Sequence, residues 1–183
     1  MLRSLLLSAS VAVLFILPMT AQNQDNDKSL DVRSPAGDLH VGKDADASKA
    51  GLPVYPGAQP QNKENNDPVN LALSTGSFGM KLIVAKYETD DPAEKVLAFY
   101  RDKMKKYGKV LECHSTDEKA DFHSDDEKGS KALKCEGDNT GPVRELKVGT
   151  EDNAHIVAIQ DPQGSKRTTF AVIYLRKHEK GEI

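Results

Sequence analysis

The sequence predicts an α+β domain in which one amphipathic helix, over about residues 92–107, packs on one face of a mainly antiparallel sheet. Two observations support this prediction. Most segments after residue 68 are short and have the residue pattern of strands, and only one segment has helical periodicity. The connections between the segments are short, which favours antiparallel pairing of neighbouring strands with the helix on one side.

The N-terminus has the pattern of a cleavable secretory signal. An apolar segment at residues 5–17 follows Arg3 and precedes Ala21, after which the chain becomes polar. A helix rises about 1.5 Å per residue, so this segment is too short for a hydrocarbon core of roughly 30 Å. We predict a signal peptide at residues 1–21 and export to the periplasm or the medium. The alternative is an uncleaved segment that tethers the protein to the membrane.

The charge balance excludes some classes of partner. The chain carries 25 Lys and Arg against 28 Asp and Glu, a net charge of −3. Nucleic-acid binding needs a strong basic excess that replaces counterions on phosphates, so we expect no nucleic-acid partner. No second apolar segment is long enough to span a bilayer, and we therefore expect no integral membrane domain after signal cleavage.

A polar N-terminal region is expected to precede the compact domain. Residues 22–51 are polar, with two short alternating segments around a Pro/Gly turn at residues 34–38 that predict a small hairpin. Residues 42–51 are predicted to be a linker. The compact domain is expected over residues 52–177, with a charged tail at residues 178–183.

The next elements are a strand pair and the helix. Residues 69–74 alternate as a half-buried strand does, and residues 80–88 are predicted to be a second strand. A turn at residues 75–79 lies between them, which predicts a hairpin. For the helix, Asp91 is the expected N-cap, with Pro92 in the first helical position and Glu94 completing a capping box. Gly108 is expected to end the helix in the left-handed conformation. The apolar face consists of Val96, Leu97, Phe99, Tyr100 and Met104.

Five short strands are predicted after the helix, and two of them contain the cysteines. Their ranges are 109–114, 130–136, 144–148, 154–160 and 167–176. Residues 161–165 have the turn composition of a hairpin connection between the last two. Cys113 and Cys135 are the only cysteines, and in an exported chain an even count predicts a disulfide between them. A redox-active pair, the alternative, usually has Cys-x-x-Cys spacing.

Two places in the sequence contain residue types that could carry chemistry. The acidic loop between the cysteines holds His114, Asp117, Asp121 and His123, whose nitrogen and oxygen atoms are of the kind that bind divalent metals. The spacing matches neither a calcium loop nor a His-Glu-x-x-His helix, so we expect a solvated loop and assign no metal ligand. His155 lies in a predicted strand, where a hydrogen-bonded structural role is more common than that of a base.

No motif of nucleophilic catalysis or phosphate binding is present. Residues 76–79, Gly-Ser-Phe-Gly, fall one residue short of a Gly-x-Ser-x-Gly elbow and are predicted to be a turn. Residues 137–141 contain two glycines, but neither a lysine nor a helix follows them as in a phosphate loop. Tyr55 stands in a Tyr-Pro-Gly-Ala turn and is expected to pack on the sheet. The sequence thus predicts no catalytic residue, no cofactor-binding residue and no cofactor.

A set of short motifs resembles a group of uncharacterised exported bacterial proteins. These proteins pair the Tyr-Pro-Gly-Ala segment, here at residues 55–58, with a helix preceded by Thr-x-Asp and containing Val-x-x-Phe-Tyr. The matching helix residues are Thr89, Asp91, Val96, Phe99 and Tyr100. The resemblance extends over roughly residues 30–176. It implies a bacterial envelope protein of unknown function and brings no catalytic residues with it.

The function expected from these observations is that of a non-enzymatic binding or structural domain of the bacterial cell envelope. Its partner would be an envelope component or a small ligand. The alternative is a small periplasmic hydrolase or metal-dependent enzyme that uses His155 or the loop from His114 to His123. A pocket that holds two or more of these residues together with an acid would favour the enzyme.

Overall fold

A computed structural model describes residues 29–61, 68–75, 77–116, 132–135, 139–160 and 167–179. Within these ranges one helix, α1, spans Ala93–Met104 and continues into a short 3-10 turn, Lys105–Tyr107. The strands are β1 Ser29–Ser34, β2 Gly37–Gly42, β3 Gln59–Pro60, β4 Val69–Thr75, β5 Phe78–Thr89, β6 Leu111–Ser115, β7 Val143–Thr150, β8 Asn153–Gln160 and β9 Thr168–Glu179.

The strands form a single antiparallel sheet in the order β1-β2-β4-β5-β9-β8-β7-β6, and β3 pairs with the far end of β5. The long strands β5 and β9 pair over twelve residues at its centre, from Phe78 opposite Glu179 to Thr89 opposite Thr168. Helix α1 packs against β7 and β8 on one face. The predicted antiparallel sheet with one helix on one face is therefore confirmed.

The two faces of the sheet have different covers. The front face carries the odd-numbered residues of β5, such as Ile83, and packs against the apolar side of α1, including Leu97 and Tyr100. The back face carries the even-numbered residues of β5, such as Leu82, beside Ile173 of β9. Because neighbouring strands keep one register, every residue opposite an odd position of β5 also lies on the front face.

Both ends of the helix differ from the prediction. Pro92 itself occupies the N-cap with extended backbone, so α1 begins at Ala93 and no side chain caps it. Asp91 therefore lies one residue outside the cap, where it accepts hydrogen bonds from Tyr55 and Lys95. At the other end Gly108 has φ 136° and ψ −158°, a glycine conformation outside the left-handed helical region.

Residues 42–51 are not a linker, and that prediction is wrong. Ala45, Ala47 and Ala50 are buried in the front-face core beside Leu52. The backbone N–H of Ala47 donates to the hydroxyl of Tyr87 at 2.9 Å and fixes this segment on β5. A polar segment with a few alanines has the composition of a linker, and only the packing of those alanines on the sheet distinguishes it. The predicted hairpin before it is confirmed, and β2 pairs with β4.

The remaining strand predictions have mixed outcomes. The pair at residues 69–74 and 80–88 and the strands at 109–114, 144–148, 154–160 and 167–176 are confirmed with shifted ends. The prediction of a strand at residues 130–136 is wrong for residues 132–135, the part of it that the structure describes. These residues make one isolated bridge, from Ala132 to Thr150. Cys135 is instead held by a disulfide to Cys113, as predicted for the cysteines. Residues 117–131 and 161–166 lie outside the described residues.

Candidate functional site

The histidine expected to have a structural role is buried. His155 lies on the front face at the start of β8, with only 6% of its surface exposed. Its imidazole stacks on Tyr107 at a centroid distance of 3.8 Å and packs at 4.7 Å against Tyr174. Burial lowers the pKa of His155 to about 4, with a further contribution from the positive charge of Lys106. The imidazole is neutral at pH 7 and has little access to a substrate.

The candidate residues of the enzyme alternative do not come together in the described part of the chain. His114 is paired with Arg144 of β7, and His155 is paired with Val148 of the same strand. The two histidines are therefore offset by four residues along the strand direction. Four strand residues span roughly 13 Å. The amide of His114 donates to Asn139 Oδ1 at 2.6 Å. Asp117, Asp121 and His123 lie outside the described residues, and within those described no three His, Cys, Asp or Glu side chains form a metal site.

One pairing of a histidine with an acid has part of the geometry of a catalytic triad. Asp31 Oδ1 lies 2.8 Å from His40 Nδ1, across the β1–β2 hairpin. Two serines lie one step from His40 on this face: Ser74 is opposite Asp38 in one direction, and Ser29 is opposite Gly42 in the other. His40 Nε2 is directed towards Gly42, 3.0 Å from where a Cβ of that residue would be. Among the described residues no hydrogen bond joins this nitrogen to a serine, although a triad requires one.

The back face is apolar and largely open over β1, β2, β4 and the start of β5. Seven large hydrophobic residues are exposed among those described, and five of them lie on this face: Leu30, Val32, Val41, Val69 and Phe78. They adjoin partly buried back-face residues of the same strands: Leu39, Leu71, Leu73, Met80, Leu82 and Val84. The back-face positions of β1, β2 and β4 include no charged residue. The result is a continuous apolar surface across four strands.

The other end of the back face is covered. Leu133 packs against the back-face cluster, and the disulfide from Cys135 to Cys113 holds this segment on β6. Beside it lies an ion pair between Lys147 Nζ and Glu145 Oε2 at 2.9 Å, whose side chains are only 4% and 3% exposed. The cover over β6 and β7 is thus part of the fold, whereas the surface over β1, β2 and β4 has no such cover among the described residues.

A groove of about 670 Å³ lies on the front face beyond the helix. It is lined by two adjacent rows, each made of residues that are paired across neighbouring strands. Ala72 and Ser74 of β4 form its floor, and longer side chains stand on either side. On the β5–β9 side these side chains are Lys81, Arg176 and His178.

The position of Tyr55 agrees with the expected packing on the sheet. Its ring contacts Phe99 edge-on at 5.2 Å and Phe170 at 6.2 Å, and its hydroxyl donates to Asp91 Oδ2 at 2.8 Å. The turn follows at Ala58, whose N–H donates to the carbonyl of Tyr55. Tyr55 therefore joins the Tyr-Pro-Gly-Ala segment to the start of α1 and has no open surface to offer a ligand.

None of the helical segments in the described part of the chain has the length and hydrophobicity of a membrane span. Neither the protein-family models, nor the curated proteins, nor the solved structures yielded a match to this chain.

Proposed function

We propose that this chain is a non-enzymatic, exported binding domain of the bacterial cell envelope, which docks a partner protein on its open back face. We also propose that it belongs with the exported proteins of unknown function that share its Tyr-Pro-Gly-Ala and helix motifs. The observation that carries the proposed docking is the apolar surface over β1, β2, β4 and β5, including Leu30 and Val32 at its edge.

The exposed fractions support this role for the back face. Leu30 is 58% exposed and Val32 45%, in the edge strand β1, where all six residues are exposed. Contiguous exposed apolar patches above a few hundred Å² are rare on monomeric proteins and mark interaction sites. Strands lie about 4.8 Å apart and rise about 3.3 Å per residue, so six-residue segments of four strands give a patch of this size.

The export signal and the disulfide support the proposed compartment. A disulfide persists in oxidising compartments such as the periplasm or the medium. The bond between Cys113 and Cys135 also fixes the cover over β6 and β7, so an oxidising compartment maintains the boundary between the covered and open parts of the back face.

Capture from an envelope extract tests the proposal. Residues 22–183 are immobilised as the wild type and as two variants that carry the same substitution at similarly exposed valines. Val32→Asp places a charge on the back face, whereas Val54→Asp does so at a site outside the sheet that is 40% exposed. We expect wild type and Val54→Asp to retain a common partner that Val32→Asp loses.

Sedimentation of the purified protein distinguishes a second copy from a different partner. A monomer that captures an envelope protein through the back face supports the proposal, and a stable homodimer sensitive to Val32→Asp identifies self-association instead. Retention of the same proteins by both variants would refute docking on the back face, because a carboxylate buried without a partner in an apolar interface is costly.

A further inference from the structure

The groove on the front face concentrates positive charge that the described residues do not neutralise. Lys81 and Arg176 are directly opposite each other on β5 and β9, and both are exposed. Among the described residues neither has an acidic partner within ion-pair distance. Like charges directly opposite each other in a sheet are destabilising, so the pairing has a cost in the free protein.

The register explains why these two cations face a cavity. In the same row across the sheet, Lys81 is opposite Ala72 of β4, and Ala72 is opposite His40 of β2. Alanine leaves the middle of the row empty, and the long side chains on either side become walls. In the adjacent row Ser74 is opposite Gly79, so the residues in the middle of both rows have small side chains.

His178 lies on the same wall as the two cations through close contact with a glycine. A Cβ at Gly79 would overlap the imidazole of His178, which therefore lies directly on the Gly79 backbone. Gly79 is opposite His178 in the register, one row from Lys81 and Arg176. The ring is thus held beside the two cations by the absence of a side chain beneath it.

The acidic residues of the groove lie on the opposite wall. Asp31 is paired with His40 at 2.8 Å, and Asp38 is opposite Arg33 across the β1–β2 hairpin. Both carboxylates are separated from the Lys81 wall by the strand β4. Arg33 and His40 share the wall of these carboxylates, whereas Lys81 and Arg176 on the other wall have no carboxylate partner among the described residues.

We propose that this groove binds a small molecule through a phosphate or carboxylate group held by Lys81 and Arg176. A guanidinium offers a planar pair of donors that fits either group, and an ammonium adds a point charge. The volume of about 670 Å³ admits a ligand of metabolite or drug size. This site lies on the face opposite the proposed docking surface and does not depend on it.

Calorimetric titration of residues 22–183 with inorganic phosphate, and separately with citrate, tests the proposal. The test variant is Lys81→Gln/Arg176→Gln, and the control is Lys109→Gln/Lys134→Gln, which removes the same charge from exposed lysines elsewhere. Wild type and control are expected to bind at least one of the two anions saturably. The test variant is expected to bind it at least tenfold more weakly.

The melting temperature without ligand separates a binding role from a structural one. The test variant removes a like-charge pair, so its melting temperature should equal or exceed that of the wild type. Phosphate or citrate at the ionic strength of a chloride control should raise the melting temperature of the wild type more than that of the variant. Saturation by phosphate alone assigns a phosphate ligand, and saturation by citrate alone a carboxylate ligand.

Absence of saturable binding of both anions to the wild type would overturn the proposal. Equal affinity in wild type and test variant would overturn it as well, because the cations would then not hold the anion. The back-face variant Leu30→Asp, at a residue that does not line the groove, should bind the anion normally, so failure of this site and failure of the docking surface are recognised separately.

Discussion

The imidazole of His155 stacks on the ring of Tyr107 with the centroids 3.8 Å apart, beneath the positive charge of Lys106. Tyr107 and Lys106 both donate hydrogen bonds to the carbonyl oxygen of Gly51, at 2.6 and 3.0 Å. The histidine is thus enclosed where the end of the helix meets the segment before β3. This contact joins two parts of the chain and makes His155 a structural residue whose charge state affects folding.

The stability of the protein should fall as the pH falls from about 6.5 to 4. The folded-state pKa of His155 is lowered from 6.5 to about 4, so the unfolded chain binds the proton more tightly. The stabilisation is complete above pH 6.5 and is lost as the pH falls towards the folded-state pKa. The full contribution is at most roughly 3 kcal/mol. Urea unfolding between pH 4 and 8 measures it.

The variant His155→Gln isolates this contribution from that of the carboxyl groups. Glutamine does not titrate, so the free energy of unfolding of the variant should change less between pH 4 and 6.5. Identical pH dependence in the two proteins would contradict the assignment of a buried neutral imidazole. Glutamine cannot stack on Tyr107 as the imidazole does, so the variant is less stable at every pH. This constant loss does not affect the comparison of how the free energy of unfolding changes with pH.

The hydrogen bond from Tyr55 to Asp91 should contribute about 1 kcal/mol to the free energy of unfolding. Tyr55→Phe keeps the ring contacts with Phe99 and Phe170 and removes only the hydroxyl. Tyr55→Ala removes the buried ring as well and should cost about 3–5 kcal/mol. Urea unfolding of both variants, with Lys95→Gln as a control on the other partner of Asp91, checks the order. Equal losses of stability in the two Tyr55 variants would show that the ring does not stabilise the fold.

The strands could be predicted from the sequence where an alternation or a short apolar run stood between turn residues. Strand β4 alternates apolar and polar residues, whereas β8 and β9 are largely continuous apolar segments. The prediction for residues 42–51 failed because three buried alanines do not form a periodic pattern. The predicted helix start was wrong by one residue because Pro92 satisfies the N-cap backbone geometry itself, and local residue preference alone does not choose between two adjacent positions.

The two candidate surfaces could not be predicted, because each depends on strand order. The row from His40 through Ala72 and Lys81 to Arg176 draws on four strands, and β9 lies far from β2 in the chain. No spacing in one segment encodes such a row. The open back face could not be predicted for a similar reason. Alternation indicates that Leu71 and its neighbours form one apolar side of a strand. Whether that side is open depends on which face of the sheet the helix covers.

Removal of the disulfide should destabilise the protein by about 3 kcal/mol, since the bond closes a loop of 22 residues. The variant Cys113→Ser/Cys135→Ser frees the segment that carries Leu133 from β6, and the buried Glu145–Lys147 pair lies beside it. The loss should therefore appear both in urea unfolding and as faster amide exchange in β6 and β7. Thiol titration of the unfolded, non-reduced wild type should find no free thiol; two reactive thiols would disprove the bond.

The hairpin β1–β2 depends on Gly37. This residue has φ 149°, and a Cβ built on it would overlap the backbone carbonyl oxygen of Ser74 on β4. A backbone atom cannot move without breaking the β2–β4 pairing. Gly37→Ala should therefore cost more than the roughly 1 kcal/mol of an unfavourable glycine conformation alone.

The control variant Gly57→Ala separates conformational strain from overlap. Gly57 has φ 77°, and a Cβ there would meet no atom within 4 Å, so only the backbone strain remains. We expect Gly37→Ala to accelerate amide exchange in β1 and β2 strongly, and Gly57→Ala to leave it unchanged. Because Leu30 and Val32 lie on that hairpin, Gly37→Ala should also abolish partner capture while the core between α1 and β8 keeps its protection. Protected β1 amides in Gly37→Ala would show that the pairing with β4 tolerates the methyl group.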